Sequence, residues 1–256
     1  MPKANFHTAL LGVLLAVSLR ASDDPFIGKW KSNPAKGKTS GQHMKIENLG
    51  GNKYGFSGPI PYQIVADGAD QPNFTGGTRS LKIIDETTWK FVYKRDGAIT
   101  AETTWTLSPD AKALTSDTTV TEVSGSKHEA GTNWKRVGGG GGFAGAWEST
   151  GFRLPVEVME IQPLAGGISF VYPSTTDRLD LKFDGKDYAW QGPRIDPSMT
   201  SSGKRVKPDV IEELDKLNGK VFMTQEYKVS SDGKTITLSE KLASQSSPEI
   251  LVFEKQ

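Results

Sequence analysis

The stretch Phe26-Ile-Gly-Lys-Trp-Lys-Ser32 recurs later in the chain as Phe143-Ala-Gly-Ala-Trp-Glu-Ser149. Both copies read Phe-x-Gly-x-Trp-x-Ser, their tryptophans are 117 positions apart (147 − 30), and five glycines at 138–142 precede the second copy. In a chain of 256 residues, this spacing indicates two modules of about 115 residues each, a size that can bury its own core. We therefore predict a first module at 22–137, a flexible glycine linker at 138–142 and a second module at 143–256.

The repeat continues beyond the motif and has the pattern of an antiparallel sheet. From Ser80 onward the second half follows the first at an offset of 122, which places Asp96-Gly97 over Asn218-Gly219. Asp-Gly and Asn-Gly are strong signals for a two-residue hairpin because both residues tolerate positive φ. Runs rich in β-branched and aromatic residues flank the turns, as in Thr87–Tyr93. Short strands joined by regular turns predict an all-β fold, either a sandwich or a barrel.

One segment of the second half carries conflicting signals. Residues 208–217 begin with a proline, have early acids and place apolar residues at 210, 211, 214 and 217, a pattern typical of a helix. Their partner at the offset of 122, residues 86–95, alternates Trp89, Phe91 and Tyr93 as a strand does. Because duplicated halves share a topology, we predict a strand over 208–217.

The N-terminus and the absence of cysteine indicate where the protein works. Residues 1–21 combine Lys3, an apolar stretch from Ala9 to Leu19 and the small residue Ala21, which is the pattern of a secretory signal peptide. The apolar stretch is too short to span a bilayer, and no other segment is apolar enough to do so. Since small exported eukaryotic domains usually carry disulfides, a chain with no cysteine is expected in a bacterial periplasm or secreted by a bacterium.

The opening motif resembles that of the lipocalins and their calycin relatives, in which a Gly-x-Trp near the start closes the floor of a β-barrel. The longer stretch Asp24-Pro-Phe-Ile-Gly-Lys-Trp-Lys-Ser-Asn-Pro-Ala-Lys36 is similar to the opening of exported lipocalin-like proteins of soil bacteria. The resemblance implies an all-β protein of two tandem antiparallel lipocalin-like barrels, or half-open barrels. It assigns Trp30 and Trp147 to structure, so loss of Trp30 is expected to destabilise the first module.

The same resemblance implies that a basic residue near the last strand packs across each floor tryptophan. Each tryptophan would then meet a cation from the end of its own module. The expected partners are Gly28 and Trp30 with Lys135 or Arg136, and Gly145 and Trp147 with Lys255.

The sequence contains no arrangement typical of an enzyme or of a cofactor site. His43 and His128 lack metal-ligand spacing, and there is no nucleophile elbow or related serine motif. Glu212-Glu213 and Asp85-Glu86 are adjacent in strands, where neighbours point to opposite faces, so we interpret them as solvated acids. The glycines at 138–142 lack the features of a phosphate loop. A net charge of +1 gives no reason to expect nucleic acid as a partner, and we predict no cofactor, no metal and no catalytic residues.

Aromatic residues form the candidate ligand site. Trp89, Phe91 and Tyr93 alternate along one predicted strand, so their rings share one face, and Trp105 belongs to the next strand. Such a stripe most often packs in a core or lines a barrel interior, where it suits an apolar ligand. The offset of 122 replaces the stripe in the second module with one apolar and two acidic residues, which predicts that the modules are not interchangeable. The replacing residues are Ile211, Glu213 and Asp215.

The leading hypothesis is an exported, non-enzymatic protein that binds a small apolar molecule in the first module. The ligand-binding residues would be Trp89, Phe91, Tyr93 and Trp105. An extracellular module that binds a glycan or another protein through its surface is the alternative, and a structural barrel without a ligand is a third. Rings in an interior favour the carrier, whereas a planar exposed row favours glycan binding. The sequence leaves the oligomeric state open.

Overall fold

A computed structural model describes residues 24–38, 41–57, 61–73, 77–193, 195–243, 245 and 247–256. The predicted signal peptide at 1–21 lies outside the described residues. The described residues form β-strands and one short 3-10 helix at Pro34–Lys36. In this part of the chain no helix is long and apolar enough to cross a membrane.

The strands form two ten-stranded sheets. One sheet contains β2 (His43–Gly50), β3 (Lys53–Ser57), β4 (Tyr62–Val65), β5 (Gln71–Pro72), β6 (Thr78–Asp85), β7 (Thr88–Arg95), β8 (Ala98–Leu107), β9 (Ala113–Thr121), β10 (Lys127–Gly138) and β11 (Gly145–Arg153). The other contains β1 (Gly28–Ser32), β12 (Val158–Leu164), β13 (Gly167–Tyr172), β14 (Asp177–Lys182), β15 (Tyr188–Ala189), β16 (Met199–Lys207), β17 (Val210–Leu217), β18 (Lys220–Val229), β19 (Thr235–Leu242) and β20 (Glu249–Lys255).

Each antiparallel sheet curls until its two edges approach each other. The orders are β4-β3-β2-β11-β10-β9-β8-β7-β6-β5 and β14-β13-β12-β1-β20-β19-β18-β17-β16-β15. Near the edges of the first sheet, the side chain of Gln71 bonds both backbone groups of Val65, at 2.9 and 2.7 Å. In the second, two backbone hydrogen bonds of 2.8 Å join Arg178 to Gln191. These two nearly closed barrels, called the first and the second barrel below, confirm the predicted all-β, tandem fold.

The barrels exchange their motif strands relative to the predicted modules. Strand β1, which carries the first motif, pairs with β12 and β20, so Trp30 lies between Met159 and Lys255 in the second barrel. Strand β11, which carries the second motif, pairs with β10 and β2 in the first barrel. The pairing therefore departs from the predicted boundaries at 22–137 and 143–256. The first barrel spans 43–153, and the second combines 28–32 with 158–255.

The glycine run belongs to a hairpin inside the first barrel, which corrects its prediction as a linker between modules. Six residues, 139–144, connect the paired strands β10 and β11, and so short a connection favours a hairpin. The guanidinium of Arg136 donates to the backbone oxygens of Ala111 and Ala144 at 2.6 Å each, and to that of Gly142. These bonds order the glycine loop. The chain passes between the two barrels twice instead, from β1 to β2 and from β11 to β12 through residues 154–157.

The repeated motif has the same local structure in both barrels. The indole Nε1 of Trp30 donates to the carbonyl oxygen of Phe26 at 2.8 Å, and that of Trp147 donates to Phe143 at 3.0 Å. Both tryptophans are fully buried. The Phe and Trp of the motif are thus the two ends of one internal hydrogen bond.

A cation lies over the tryptophan of each motif, as the resemblance predicts, but the partners are exchanged. Lys255 Nζ lies 5.0 Å from the centre of the Trp30 ring, and Arg136 Cζ lies 4.2 Å from that of Trp147. The exchange of the motif strands is the reason. Gly28 has a φ of +146°, and a Cβ there would lie 2.9 Å from Lys255 Cε. Glycine is therefore required both by its conformation and by the approach of the cation.

The prediction of a strand over 208–217 is confirmed by β17, Val210–Leu217. Its residues pair with β16 on one side and β18 on the other. Ile211, Glu213 and Asp215 face the barrel interior and are buried. Cross-strand pairing therefore overrides the helical propensity of this segment.

Candidate functional site

Three neighbouring strands carry the inward-facing groups that differ most between the barrels. They are β6, β7 and β8 in the first barrel and β16, β17 and β18 in the second. In the first barrel the register pairs Arg79 with Tyr93, Leu81 with Phe91 and Phe91 with Thr103. At the offset of 122, the second barrel pairs Ser201 with Asp215, Gly203 with Glu213 and Glu213 with Gln225. Equivalent places in the two interiors thus carry different chemistry.

The four predicted ligand-binding residues come together inside the first barrel. Trp89 and Phe91 are buried, and Tyr93 and Trp105 are partly buried. The ring centres of Phe91 and Trp105 are 5.0 Å apart, and those of Phe91 and Tyr93 are 6.5 Å apart. Trp89 stacks on Phe143 of the second motif, with ring centres 4.1 Å apart. Trp89 therefore packs with the motif, and the other three rings form an aromatic group. Their contact with a ligand stays a prediction.

Arg79 is a further interior residue of the first barrel. It lies on the same face of β6 as the buried Leu81 and is only 6% exposed. Its guanidinium carbon is 3.6 Å from the centre of the Tyr62 ring, and Tyr93 lies opposite it in the register. Among the described residues, no carboxylate forms an ion pair with Arg79. In the sequence, the alternation of side chains along β6 could have identified Arg79 as an interior residue, because it places Arg79 on the same face as the apolar Leu81.

The tyrosines beside Arg79 stay protonated. Burial raises the pKa of Tyr62 and of Tyr93, and the positive charge of Arg79 only partly opposes this. At neutral pH both phenols are therefore neutral hydrogen-bond donors. They supply no negative charge to balance the guanidinium.

The indole of Trp134 places an unsatisfied donor in the same interior. Trp134 on β10 lies opposite the buried Leu114, and its indole Nε1 is buried with no acceptor among the described residues. A buried unsatisfied donor costs about 1–3 kcal/mol. The first barrel therefore contains a cation and an N–H group that both favour a ligand with oxygen acceptors.

The second barrel carries a hydrogen-bonded acid where the first carries an aromatic ring. The buried Asp215 accepts at Oδ1 from Ser201 Oγ and at Oδ2 from Gln225 Nε2, the latter at 2.7 Å. Trp190 Nε1 donates to Ser201 Oγ at 2.7 Å, and the Tyr227 hydroxyl donates to Gln225 Oε1 at 2.5 Å. These donors are directed towards Asp215, an arrangement that stabilises its ionised form.

Glu213 lies two residues before Asp215 on the same face and is 1% exposed. Neither of its carboxyl oxygens forms a well-aligned hydrogen bond among the described residues, although Ser201 and Tyr227 lie close enough to oppose a rise in its pKa. Burial, and then the charge of Asp215, raise the pKa of Glu213 well above its ordinary value. Burial also raises the pKa of Asp215, although its hydrogen bonds oppose the rise. Burial and mutual repulsion therefore disfavour the state in which both carboxyl groups are ionised.

Two further acids face the interior of the second barrel beside a cavity. Glu240 on β19 and Glu249 on β20 are cross-strand neighbours. Burial, followed by the charges of Glu249 and Asp215, raises the pKa of Glu240 to about 7. Both acids line a cavity of about 220 Å³ whose walls also include Leu251 and Phe253. A small molecule in this cavity would contact carboxyl groups and apolar side chains together.

The interpretation of the adjacent acids as solvated is wrong for one of the four. Asp85 and Glu86 are exposed, and Glu212 is paired with Lys204 at 2.8 Å on the outer face. Glu213 is buried instead, because its neighbours at alternate positions of β17 belong to the core face. The alternation of β17 pointed to this, since it sends adjacent side chains to opposite faces.

The histidines do not form a metal site in the described part of the chain. His43 is exposed, and His128 Nδ1 lies 3.1 Å from Glu122 Oε1. Within the described ranges, no group of three or more His, Cys, Asp or Glu residues is arranged to hold a metal ion.

A cleft of about 860 Å³ lies beside the first motif, and its walls include Ile27 and Phe183. Its arginine already has partners: Arg205 pairs with Asp24 at 2.6 Å and lies over the rings of Phe26 and Phe183 at 5.0 and 4.9 Å. The arginine of this cleft is therefore already paired with a carboxylate. In the barrel interiors, Arg79 and Glu213 have no ion-pair partner among the described residues.

No protein-family model, curated protein or solved structure matches this chain.

Proposed function

We propose that the protein is an exported, non-enzymatic binding protein whose first barrel takes a small molecule with an apolar body and a carboxylate group. The observation that carries the proposal is Arg79. This guanidinium is nine-tenths buried in an aromatic interior, and no carboxylate of the described residues pairs with it. The ligand would supply the missing negative charge.

The chemistry of the guanidinium favours a carboxylate over other groups. Arginine presents parallel N–H donors that match the two oxygens of a carboxylate. The hydroxyls of Tyr62 and Tyr93 are held protonated, and the Trp134 indole has an unused N–H. These donors support binding of an oxygen-bearing head group inside the first barrel.

The aromatic residues predicted from the sequence supply the apolar part of the site. Phe91 and Trp105 contact each other, and Phe56 stacks on Tyr62 with ring centres 4.6 Å apart. Predominantly apolar walls with a few placed polar groups are typical of small-molecule sites. The sequence predicted an apolar ligand, and Arg79 is the reason for adding an anionic end to it.

The lipocalin resemblance supports the same proposal. In each barrel a buried tryptophan lies under a cation at the floor, next to a glycine of positive φ. Carriage of a small molecule by an exported barrel agrees with the predicted signal peptide and with the absence of cysteine. Glycan binding through an exposed aromatic row is less favoured, because Trp89 and Phe91 are buried.

Calorimetric titration with decanoate tests the proposal, with decanol as the uncharged comparison. Decanoate should bind the full chain more tightly than decanol. Charge-assisted hydrogen bonds contribute about 1.5–3 kcal/mol, so Arg79→Met should raise the Kd for decanoate by roughly 10- to 100-fold.

The matched control is Lys82→Met, which removes an exposed cation from the outer face of the same strand. It should leave the Kd for decanoate unchanged. The proposal is contradicted if decanoate and decanol bind alike, or if Arg79→Met and Lys82→Met give the same affinity.

A further inference from the structure

The second barrel encloses acids that no cation of the described residues balances. Strands β17, β19 and β20 direct four carboxyl groups to the interior, those of Glu213, Asp215, Glu240 and Glu249. Within the described ranges, none of the four forms an ion pair with a lysine, an arginine or a histidine. Buried charges in proteins are normally paired, so this interior lacks a positive partner.

Glu213 is a buried acid inside the second barrel, and it marks the position that a positive group would occupy. The nearby side-chain donors Ser201 and Gln225 bond to Asp215. Both oxygens of Glu213 are buried without a hydrogen-bond partner among the described residues. A donor from outside the chain would satisfy them.

Aromatic faces near the acids suit an organic cation. Tyr172 and Trp190 have ring centres 6.1 Å apart, and Trp190 bonds to Ser201 in the Asp215 network. Tyr227, which packs against Phe170 at 5.0 Å, bonds to Gln225 in the same network. The faces of such rings attract ammonium groups when water is excluded.

The cavity lined by Glu240 and Glu249 gives a small molecule space beside two of the four acids. Its volume of about 220 Å³ corresponds to roughly seven water molecules at about 30 Å³ each. Phe152, Leu251 and Phe253 contribute apolar walls. The cavity therefore suits a short apolar body with a charged end.

We propose that the second barrel is a binding site for a small protonated amine, whose ammonium group is held by Glu213, Asp215 and Glu240 and whose apolar body lies in the adjoining cavity. This site is independent of the ligand of the first barrel. A metal ion is a poorer fit, because the described acids do not form a metal-binding group and the cavity walls are largely apolar.

Binding of the amine is coupled to ionisation of the acids. Burial raises the pKa of Glu213 and Asp215, and that of Glu240 rises to about 7. The charged and titratable groups that act on them are themselves acids or phenols, namely Glu249, Glu157, Tyr172 and Tyr227. An ammonium group favours the ionised carboxylates, so its affinity should increase as the pH rises from about 5.5 to 8.

Calorimetric titration of the full chain with hexylammonium chloride in phosphate buffer tests the site, with hexanol as the uncharged comparison. At pH 8 hexylammonium should bind with one-to-one stoichiometry, and hexanol should bind at least about tenfold more weakly. At pH 5.5 the affinity for hexylammonium should be lower. Glu213→Gln should weaken hexylammonium binding about tenfold or more. Glu240→Gln should weaken it as well, because it removes another of the acids that hold the ammonium group.

The matched control is Glu212→Gln, because Glu212 lies next to Glu213 but is paired with Lys204 on the outer face. It should keep the wild-type affinity, as should Arg79→Met in the other barrel. The proposal is overturned if hexylammonium does not bind at pH 8, if hexanol binds equally well, or if both Glu213→Gln and Glu240→Gln retain the wild-type affinity. Loss of hexylammonium binding in Arg79→Met would place the site in the first barrel and overturn it too.

Discussion

The ammonium group of Lys255 lies 5.0 Å from the centre of the Trp30 indole, so the last strand of the chain covers the motif of the first. The two residues are also paired across β1 and β20. The second barrel therefore combines β1 with strands β12 to β20, which are distant from it in the sequence. In the first barrel, β11 pairs with both β10 and β2 and so joins the early and the late strands of the sheet.

Replacement of Trp30 by alanine should destabilise the second barrel rather than the module at 22–137. Loss of a buried tryptophan typically costs about 3–5 kcal/mol, and Trp30 packs in the same core as Met159 and Phe253. Hydrogen-exchange mass spectrometry of Trp30→Ala should show faster exchange in peptides from 158–255. Trp147→Ala, the control, should accelerate exchange in 43–153 instead, and the opposite pattern would contradict the strand exchange.

Fragments cut at the barrel boundaries should fold better than fragments cut at the repeat. A fragment of 41–157 contains every strand of the first barrel, whereas 22–137 lacks β11 and includes β1 without its partners. We expect 41–157 to unfold cooperatively in urea and 22–137 to lack a cooperative transition. Equal cooperativity of the two fragments would show that β1 can replace β11.

Gly145 should not tolerate a side chain. Its φ is +145°, and a Cβ would lie 2.7 Å from the carbonyl oxygen of Gly139 and against the Arg136 guanidinium. Forcing an L-residue into such a conformation costs on the order of 1–3 kcal/mol. Gly151→Ala is the control on the same strand, since a Cβ there meets no atom within 4 Å. Urea unfolding should separate the two variants, and equal midpoints would contradict the assigned role of Gly145.

The pH dependence of stability tests the burial of Glu240. Its pKa rises from 4.5 to about 7 on folding, so its contribution to stability is complete below pH 4.5 and is lost as the pH rises to 7. A rise of this size corresponds to at most about 3 kcal/mol. Between pH 4.5 and 7, wild-type protein should lose unfolding free energy relative to Glu240→Gln. Glu226→Gln, an exposed control, should keep the wild-type slope, and identical slopes in all three proteins would contradict the burial.

Local patterns predicted the strands but not the strand exchange. The repeat and the Asp96-Gly97 and Asn218-Gly219 turns predicted the hairpins that close at those positions. A motif strand has the same sequence whether it pairs in its own repeat or in the other, so its partner cannot be deduced from the repeat. The short connection at 139–144 was the physical signal, because it favours pairing of β11 with β10.

The sequence could predict which polar residues lie on an interior face, but not which side chains they contact there. Strand alternation places Arg79 and Glu213 on core faces, and Arg79 lies opposite Tyr93 of the predicted ligand site. The unsatisfied state of Glu213 and the ring of Tyr62 against Arg79 depend on strands distant in sequence. Those contacts required the three-dimensional structure.

A native mass spectrum of the protein, purified without denaturation from the cells that produce it, tests the central claim most directly. We predict a discrete adduct that is lost on unfolding, that contains a carboxylic acid, and that is absent from Arg79→Met prepared in the same way. A bare mass for the wild-type protein, with both barrels intact, would contradict a ligand-binding function.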